Sequence, residues 1–397
     1  MTIPAALLFA LGLPLALACG YLLLLTFASA RTDSPPLSAR RLRFDLIVPA
    51  HNEERGIGAT VQSLLAVDWP ADLRRVLVVA DNCEDATAAQ ARTAGAEVLE
   101  RVDLERRGKG FALELAFAHS LKGAADALVV VDADTLVSGN LLSAFASRLE
   151  ASASAIQADY GVRNPQESWR TRLIAIALGA FHVLRSRGRE RLGLSCGLRG
   201  NGMCFSRRLL EEVPHRAFSL VEDLEFGIQI GEAGHRIHYA GEAHVWGEMV
   251  PGGSASTSQR LRWEGGRRQM ASLHGRRLLA SALRKRDPLL LDLAFDVLVP
   301  PLSRIAMAVA LGLVVSLLVS ARGHQWIAAG TLFSACAMAL VLYVLRGWSL
   351  SGTGLRGLLD LALAPLYVIW KFSLPIQSPA GARGIWVRTQ RQGEKLP

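Results

Sequence analysis

The sequence predicts an α/β domain with a parallel, doubly wound sheet, set between α-helical transmembrane segments. Short apolar runs alternate with helical stretches from Phe44 to Val131, the signature of parallel strands joined by crossover helices. Each run ends in a polar cluster, and ligands bind outside the carboxyl ends of such strands. The apolar residues, 51% of a chain of 397, gather at the two ends in stretches of about 20 residues or more, the length that crosses a bilayer.

The first stretch, Ile3 to Ala30, is almost uncharged, and Arg31, Arg40, Arg41 and Arg43 follow it. It is too long for the core of a signal peptide, and its basic residues come after it instead of before. It is expected to be a retained anchor (residues 1–30) with its N-terminus outside and the basic side cytoplasmic. A linker (31–43) with Pro and Ser leads to the first strand, Leu46 to Val48, and the loop His51-Asn52-Glu53-Glu54. A helix over Ile57 to Val67 follows. The second strand, Arg75 to Ala80, ends at Asp81-Asn82, and a helix over Ala86 to Ala94 leads to a short third strand at Val98-Leu99. The loop Asp103 to Gly110 carries Arg-Arg-Gly-Lys-Gly and opens onto a helix from Phe111 to Leu121. The fourth strand, Ala127 to Val131, delivers Asp132 and Asp134.

Residues i and i+2 of a strand point the same way, so these two carboxylates are expected to converge. Like charges tolerate that with a cation between them, and an all-oxygen donor set suits Mg²⁺ or Mn²⁺. Further on, Trp169 to Leu184 reads as an interfacial or a buried helix, and Gly197 to Met203 packs three glycines into a loop that permits close backbone approach to a ligand. Glu222 and Asp223 stand at a helix start, where acids either cap the helix or serve chemistry. A strip of Arg and Lys from Arg267 to Arg286 suits an interfacial segment (264–288) against anionic headgroups, or a solvated face. Three apolar segments follow within 289–376: Leu289 to Ser320 with a Pro300-Pro301 break, Trp326 to Leu345, and Leu355 to Leu374. The basic tail (377–397) would land outside if all three crossed, so the third, with Pro365 in its middle, is expected to lie in the interface.

The net charge of +9 fits an anionic membrane face better than nucleic acid, because the basic residues flank apolar segments without interleaved aromatics. Five cysteines without CxxC spacing argue against zinc and against a disulfide framework.

Four clusters now stand in order: Asp81, Asp132-Ala133-Asp134, Glu222-Asp223, and Gln259-Arg260-Leu261-Arg262-Trp263. Together they resemble the membrane-bound family 2 glycosyltransferases, whose relatives include cellulose, hyaluronan and poly-N-acetylglucosamine synthases and ceramide glucosyltransferases. The resemblance runs from Phe44 to Trp263 and implies a cytoplasmic GT-A-type, Rossmann-like catalytic domain (44–263) in a multi-pass protein of the plasma (inner) membrane. It implies inverting transfer of a hexosyl or N-acetylhexosaminyl group from a nucleoside-diphosphate sugar, with UDP-sugar preferred, to a membrane lipid or growing polysaccharide. By the same resemblance Asp81 would bind uracil, Glu53 would lie near the ribose, Asp223 would be the base and Glu222 would orient it. Asp132 and Asp134 would hold Mg²⁺ or Mn²⁺ against the diphosphate. Lys109 and Arg262 are candidate cations for the phosphates, Gln259 belongs to the same motif, and Trp263 offers a face for a sugar ring. Arg199, Asn201 and Gly202 would border the acceptor, while His244 reads as structural. Asp81 is followed by Asn82 where many relatives carry Asp-Asp-Gly, which weakens the expected base contact. Two other readings remain: a processive exopolysaccharide synthase working with export proteins, and a non-catalytic nucleotide-binding membrane subunit.

Overall fold

The computed structural model describes residues 3–32, 34–249, 254–320 and 327–368, with the backbone alone for 3, 254–264 and 320. Helix α1 (Ile3–Ala28) precedes the sheet. Strands β1 (Phe44–Ala50), β2 (Arg74–Asp81), β3 (Glu97–Arg101) and β4 (Ala127–Val130) pair in parallel in the order β3-β2-β1-β4. They are joined by α2 (Ile57–Leu65), α3 (Thr87–Thr93) and α4 (Lys109–Ser120). The strands read as unbroken apolar runs because both faces are covered. Leu46, Val48, Val76, Val78 and Val129 enter one core, while Ile47, Leu77, Val79, Leu128 and Val130 enter the other. Removing one such side chain, as in Ile47→Ala, costs about 2–5 kcal/mol.

The sheet then departs from the all-parallel expectation. After β5 (Thr135–Val137), α5 (Leu141–Glu150), β6 (Ala155–Val162), α6 (Trp169–Leu178) and α7 (Arg185–Arg191), strand β7 (Met203–Ser206) pairs antiparallel to both β4 and β6. Helices α8 (Arg207–Glu212) and α9 (Glu222–Glu232) lead to β8 (Ile237–Gly247), which lies parallel to β6 and antiparallel to β5. The eight strands form one mixed sheet in the order β3-β2-β1-β4-β7-β6-β8-β5. Gly202 donates its backbone N–H to Val130 O at 3.0 Å. The antiparallel return of β7 therefore sets the glycine loop 197–202 beside the acids that follow β4.

Helix α10 (Ser254–Lys285) runs unbroken through the boundary expected at 263/264. Its Met270, Leu278 and Ala282 are buried, the latter two against α9 and α11 (Pro288–Leu298). The segment read as Leu289 to Ser320 is two helices, α11 and α12 (Leu302–Ser320), separated at Pro300-Pro301 as ring geometry requires. After α13 (Ile327–Leu350) comes the short α14 (Gly354–Asp360) and one tight turn, Leu361–Leu363. The expectation for Leu355 to Leu374 falls partly, and that for the tail 377–397 wholly, outside the described residues. Among the described residues, three helical stretches are long and apolar enough to cross a membrane: Pro4–Ala28, Leu302–Val319 and Ile327–Leu350. Leu11, Leu17, Leu317, Leu318 and Met338 project outward from them. Trp169 to Leu184 is mostly buried: Leu173, Ile174 and Ile176 are covered, and α6 widens into a single π turn at Gly179–Leu184.

Candidate active site

Lys109 opens α4, two residues earlier than periodicity suggested, behind Gly108 in a left-handed conformation (φ 124°). A cation at a helix N-terminus is opposed by the macrodipole, so acids must hold it there. Lys109 Nζ donates to Asp132 Oδ1 at 2.6 Å and to the Gly200 carbonyl, and lies 3.5 Å from Glu222 Oε1. Burial alone would lower its pKa, but Asp132, Glu222 and Asp223 outweigh burial and raise it. The next residue, Gly110, has no room for a side chain, because a Cβ there would run into the Ala217 carbonyl oxygen.

Asp132 and Asp134 do not alternate along a strand. β4 stops at Val130, and the two acids sit in the turn before β5, closed by Thr135 N–H on Asp132 O at 3.2 Å. The turn is braced from outside. Asn201, fully buried, accepts from Asp132 N–H at 3.1 Å and donates to Thr135 Oγ1 at 2.7 Å. Gln157 donates to Asn201 O at 2.7 Å and accepts from Arg199 N–H at 2.9 Å. Both acids act on Tyr160, whose pKa is raised by burial first and then by Asp132 and Asp134.

Glu222 and Asp223 begin α9, but the helix is capped by Val221 with no side-chain bond, so neither acid serves as its N-cap. Asp223 Oδ2 lies 3.4 Å from where a Cβ on Gly200 would stand, and Gly200 has φ +79°. A larger residue at 200 would be strained and would crowd the carboxylate. Burial pushes the Glu222 carboxyl up to about 7, against the pull of Lys109, and raises Asp223 as well. One acid turn, one lysine and two tuned carboxyls thus meet at the centre of the sheet's carboxyl edge.

Asp81 and Glu53 stand apart from that centre, at the ends of β2 and β1. Asp81 Oδ1 accepts from Arg101 Nη1 at 2.7 Å and from Asn82 Nδ2 at 3.0 Å, and its backbone carbonyl lies 2.7 Å from His51 Nδ1. Glu53 donates its N–H to Thr87 Oγ1 at 2.7 Å, tying the first loop to the start of α3. Gln259, Arg262 and Trp263 lie in the first turns of α10, where their side chains are outside the described residues. His244 pairs with Asp159 at 3.1 Å and stacks on Trp246.

Sequence reasoning missed Arg101, Gln157, Thr135 and Tyr160. The β2–β3 register sets Arg101 directly opposite Asp81, which no local pattern reveals.

The donor set at Asp132 and Asp134 fits a hard divalent cation in part. Among the described residues no group of three or more His, Cys, Asp or Glu is gathered as a cage. Two carboxylates, completed by water and substrate phosphate, are the usual protein share for Mg²⁺.

Residues 41–266 match the model of the family described as glycosyltransferase like family 2. The chain belongs to this family. Among curated proteins, this family 2 chain is 25% identical over 237 residues to the probable glycosyltransferase YdaM of Bacillus subtilis, covering 56% of this chain and 55% of that one. It is 29% identical over 232 residues to the beta-monoglucosyldiacylglycerol synthase of Synechocystis sp., covering 56% and 47%. The chain therefore spans about half the length of the curated relatives it matches. Among solved structures, it shares its fold with the mannosyltransferase PcManGT from Pyrobaculum calidifontis in complex with GDP-Man and Mn²⁺. That likeness has a TM-score of 0.53 at 21% identity and covers 85% of this chain and 99% of that one. The GT-A-type expectation stands, with the mixed sheet in place of the all-parallel one.

Proposed function

We propose that this family 2 chain is an inverting glycosyltransferase that moves a sugar from a nucleoside-diphosphate sugar, UDP-sugar in the first instance, to a membrane lipid or a growing saccharide. The observation that carries this reading is Lys109, which joins the acid turn at Asp132 to Glu222 and Asp223 in one charge network. In a single displacement the bond from the anomeric carbon to the diphosphate oxygen breaks as the bond to the acceptor oxygen forms. Negative charge grows on the leaving phosphate, and Lys109 stands where it neutralises that charge. Asp132 and Asp134 would hold Mg²⁺ or Mn²⁺, which supplies further charge neutralisation. Asp223 takes the acceptor hydroxyl's proton on the opposite face. Its pKa, raised by burial, brings it closer to the operating pH of a general base, while Glu222 fixes its orientation. Asp81 and Glu53 serve the base and ribose, and Gln259, Arg262 and Trp263 complete the phosphate and sugar side.

The names of the relatives support the donor and acceptor classes: one is a diacylglycerol-glycolipid synthase and one was captured with GDP-Man and Mn²⁺. Apolar helices long enough to cross a membrane support membrane attachment, and the Arg residues that follow the first of them favour a cytoplasmic catalytic face. A panel of radiolabelled nucleotide sugars on membranes containing the full chain tests the reading. Metal-dependent incorporation from one donor into lipid or polysaccharide is expected, and no turnover of any donor would contradict it.

A further inference from the structure

Behind the glycine loop lies a buried cluster of arginines to which the proposed chemistry gives no part beyond the place expected for Arg199 beside the acceptor. Arg185 and Arg189 on α7 and Arg267 on α10 pair with acids of α11, and Arg199 in the loop meets two of them, Arg185 and Arg267, around Phe181. Three of them surround one ring: the guanidinium carbons of Arg199, Arg185 and Arg267 lie 4.5, 4.8 and 5.2 Å from the centre of Phe181. The acids that face them are Asp292 and Asp296. Arg189 pairs with Asp292 at 3.2 Å and with Asp296 at 2.8 Å, while Arg185 and Arg267 reach the same Asp296 oxygen at 3.7 and 3.4 Å. Tyr21 donates to Asp292 at 2.7 Å, and Tyr343 accepts from Arg185 at 2.9 Å.

Among the described side chains, three guanidiniums thus share two carboxylates, and the fourth, Arg199, pairs with neither. Buried charge left uncompensated costs several kcal/mol, and the deficit is localised. Arg199 is 8% exposed. Its Nη2 donates to the Cys196 carbonyl at 2.9 Å, but its buried Nε has no hydrogen-bond partner. Arg199 is next to Gly200, over which Asp223 sits, and its charge is felt at Asp223. Arg267 is the member that reaches the surface, with its side chain 18% exposed. Burial lowers the pKa of both Arg199 and Arg267, and the neighbouring arginines lower each further against the pull of Asp296.

We propose that Arg199 and Arg267 form a binding site for a phosphate ester carried by the acceptor, seated between the membrane helices and Asp223. The site rests on the transferase reading, in which Asp223 faces the acceptor hydroxyl, and it narrows the acceptor to an anionic one. Guanidinium is the side chain suited to bidentate phosphate contact. The phosphate comes either from a lipid headgroup or from a free phosphorylated sugar alcohol, and the two are distinguished by the probes.

The test measures the melting temperature of the full chain in neutral detergent with phosphatidylglycerol, diacylglycerol of the same acyl chains, or glycerol phosphate. The phosphate-bearing lipid is expected to raise it by at least about 3 °C over the neutral lipid. An equal rise with glycerol phosphate assigns the phosphate alone, and a rise with phosphatidylglycerol alone assigns a lipid. Arg199→Gln and Arg267→Gln are each expected to remove most of the difference, with monodispersity by gel filtration reporting that they fold. Equal shifts with diacylglycerol and phosphatidylglycerol, or an undiminished shift in both variants, would overturn the site. The wild-type comparison decides even if neither variant folds. Melting needs no turnover, so absent transfer with an intact, arginine-dependent shift would sink the transferase reading and leave the phosphate site standing.

Discussion

Lys109 Nζ lies 2.6 Å from Asp132 Oδ1, and this one bond ties the first turn of α4 to the acid turn after β4. Because Glu222 is 3.5 Å from the same ammonium, the lysine is shared between the proposed leaving-group side and the proposed base side. Lys109→Met keeps the bulk and removes the charge. It is expected to reduce transfer by roughly 10–100-fold, the worth of one charge-assisted hydrogen bond, with a weaker dissociation constant for UDP by calorimetry. Unchanged UDP affinity would remove Lys109 from the phosphate site.

Burial holds the Glu222 carboxyl near 7, above its ordinary 4.5. The folded state then binds a proton more tightly than the unfolded chain, so stability falls as pH rises from about 4.5 to about 7. Melting followed from pH 4.5 to 8 should show this decline, and Glu222→Gln should flatten it. A profile unchanged in the variant would reject the assignment.

Asp134→Asn leaves the turn's backbone bonds intact but removes one of two carboxylates. UDP binding in the presence of Mn²⁺ is expected to weaken, with higher Mn²⁺ restoring it, and chelation should abolish it in the wild type. Metal-independent UDP binding would contradict the role given to the acid turn.

Gly110→Ala places a methyl group against the Ala217 carbonyl oxygen. Overpacking of this kind costs about 1–3 kcal/mol, and urea unfolding of the detergent-solubilised chain should show it as a lower midpoint. A midpoint equal to wild type would mean that the 217–218 segment yields freely.

The legibility of this chain in sequence tracks how local each cause is. β1, β2 and β4 were readable because both of their faces are buried, as Leu46 to Val48 and Leu77 to Val79 show. Strand β7 is four residues, Met203 to Ser206, too short to show a period, so its antiparallel return was invisible. The acid pair was legible as chemistry but not as geometry: the convergence expected from strand alternation comes from a turn, with Asn201 bracing it from a distant loop. Arg101 opposite Asp81, and Arg189 against Asp292 and Asp296, depend on register and packing between separated elements. The i,i+4 spacing of Arg185 with Arg189 and of Asp292 with Asp296 was the one local sign of two facing charged stripes.

In the proposed reaction the acid turn holds the leaving group while Asp223 moves the proton. Asp223→Asn in the full chain separates the two most directly, with UDP affinity and sugar transfer measured on the same preparation. UDP affinity is expected to stay within about twofold of wild type and transfer to fall by at least about 10²-fold. Transfer at the wild-type rate with UDP binding intact would remove the base role from Asp223.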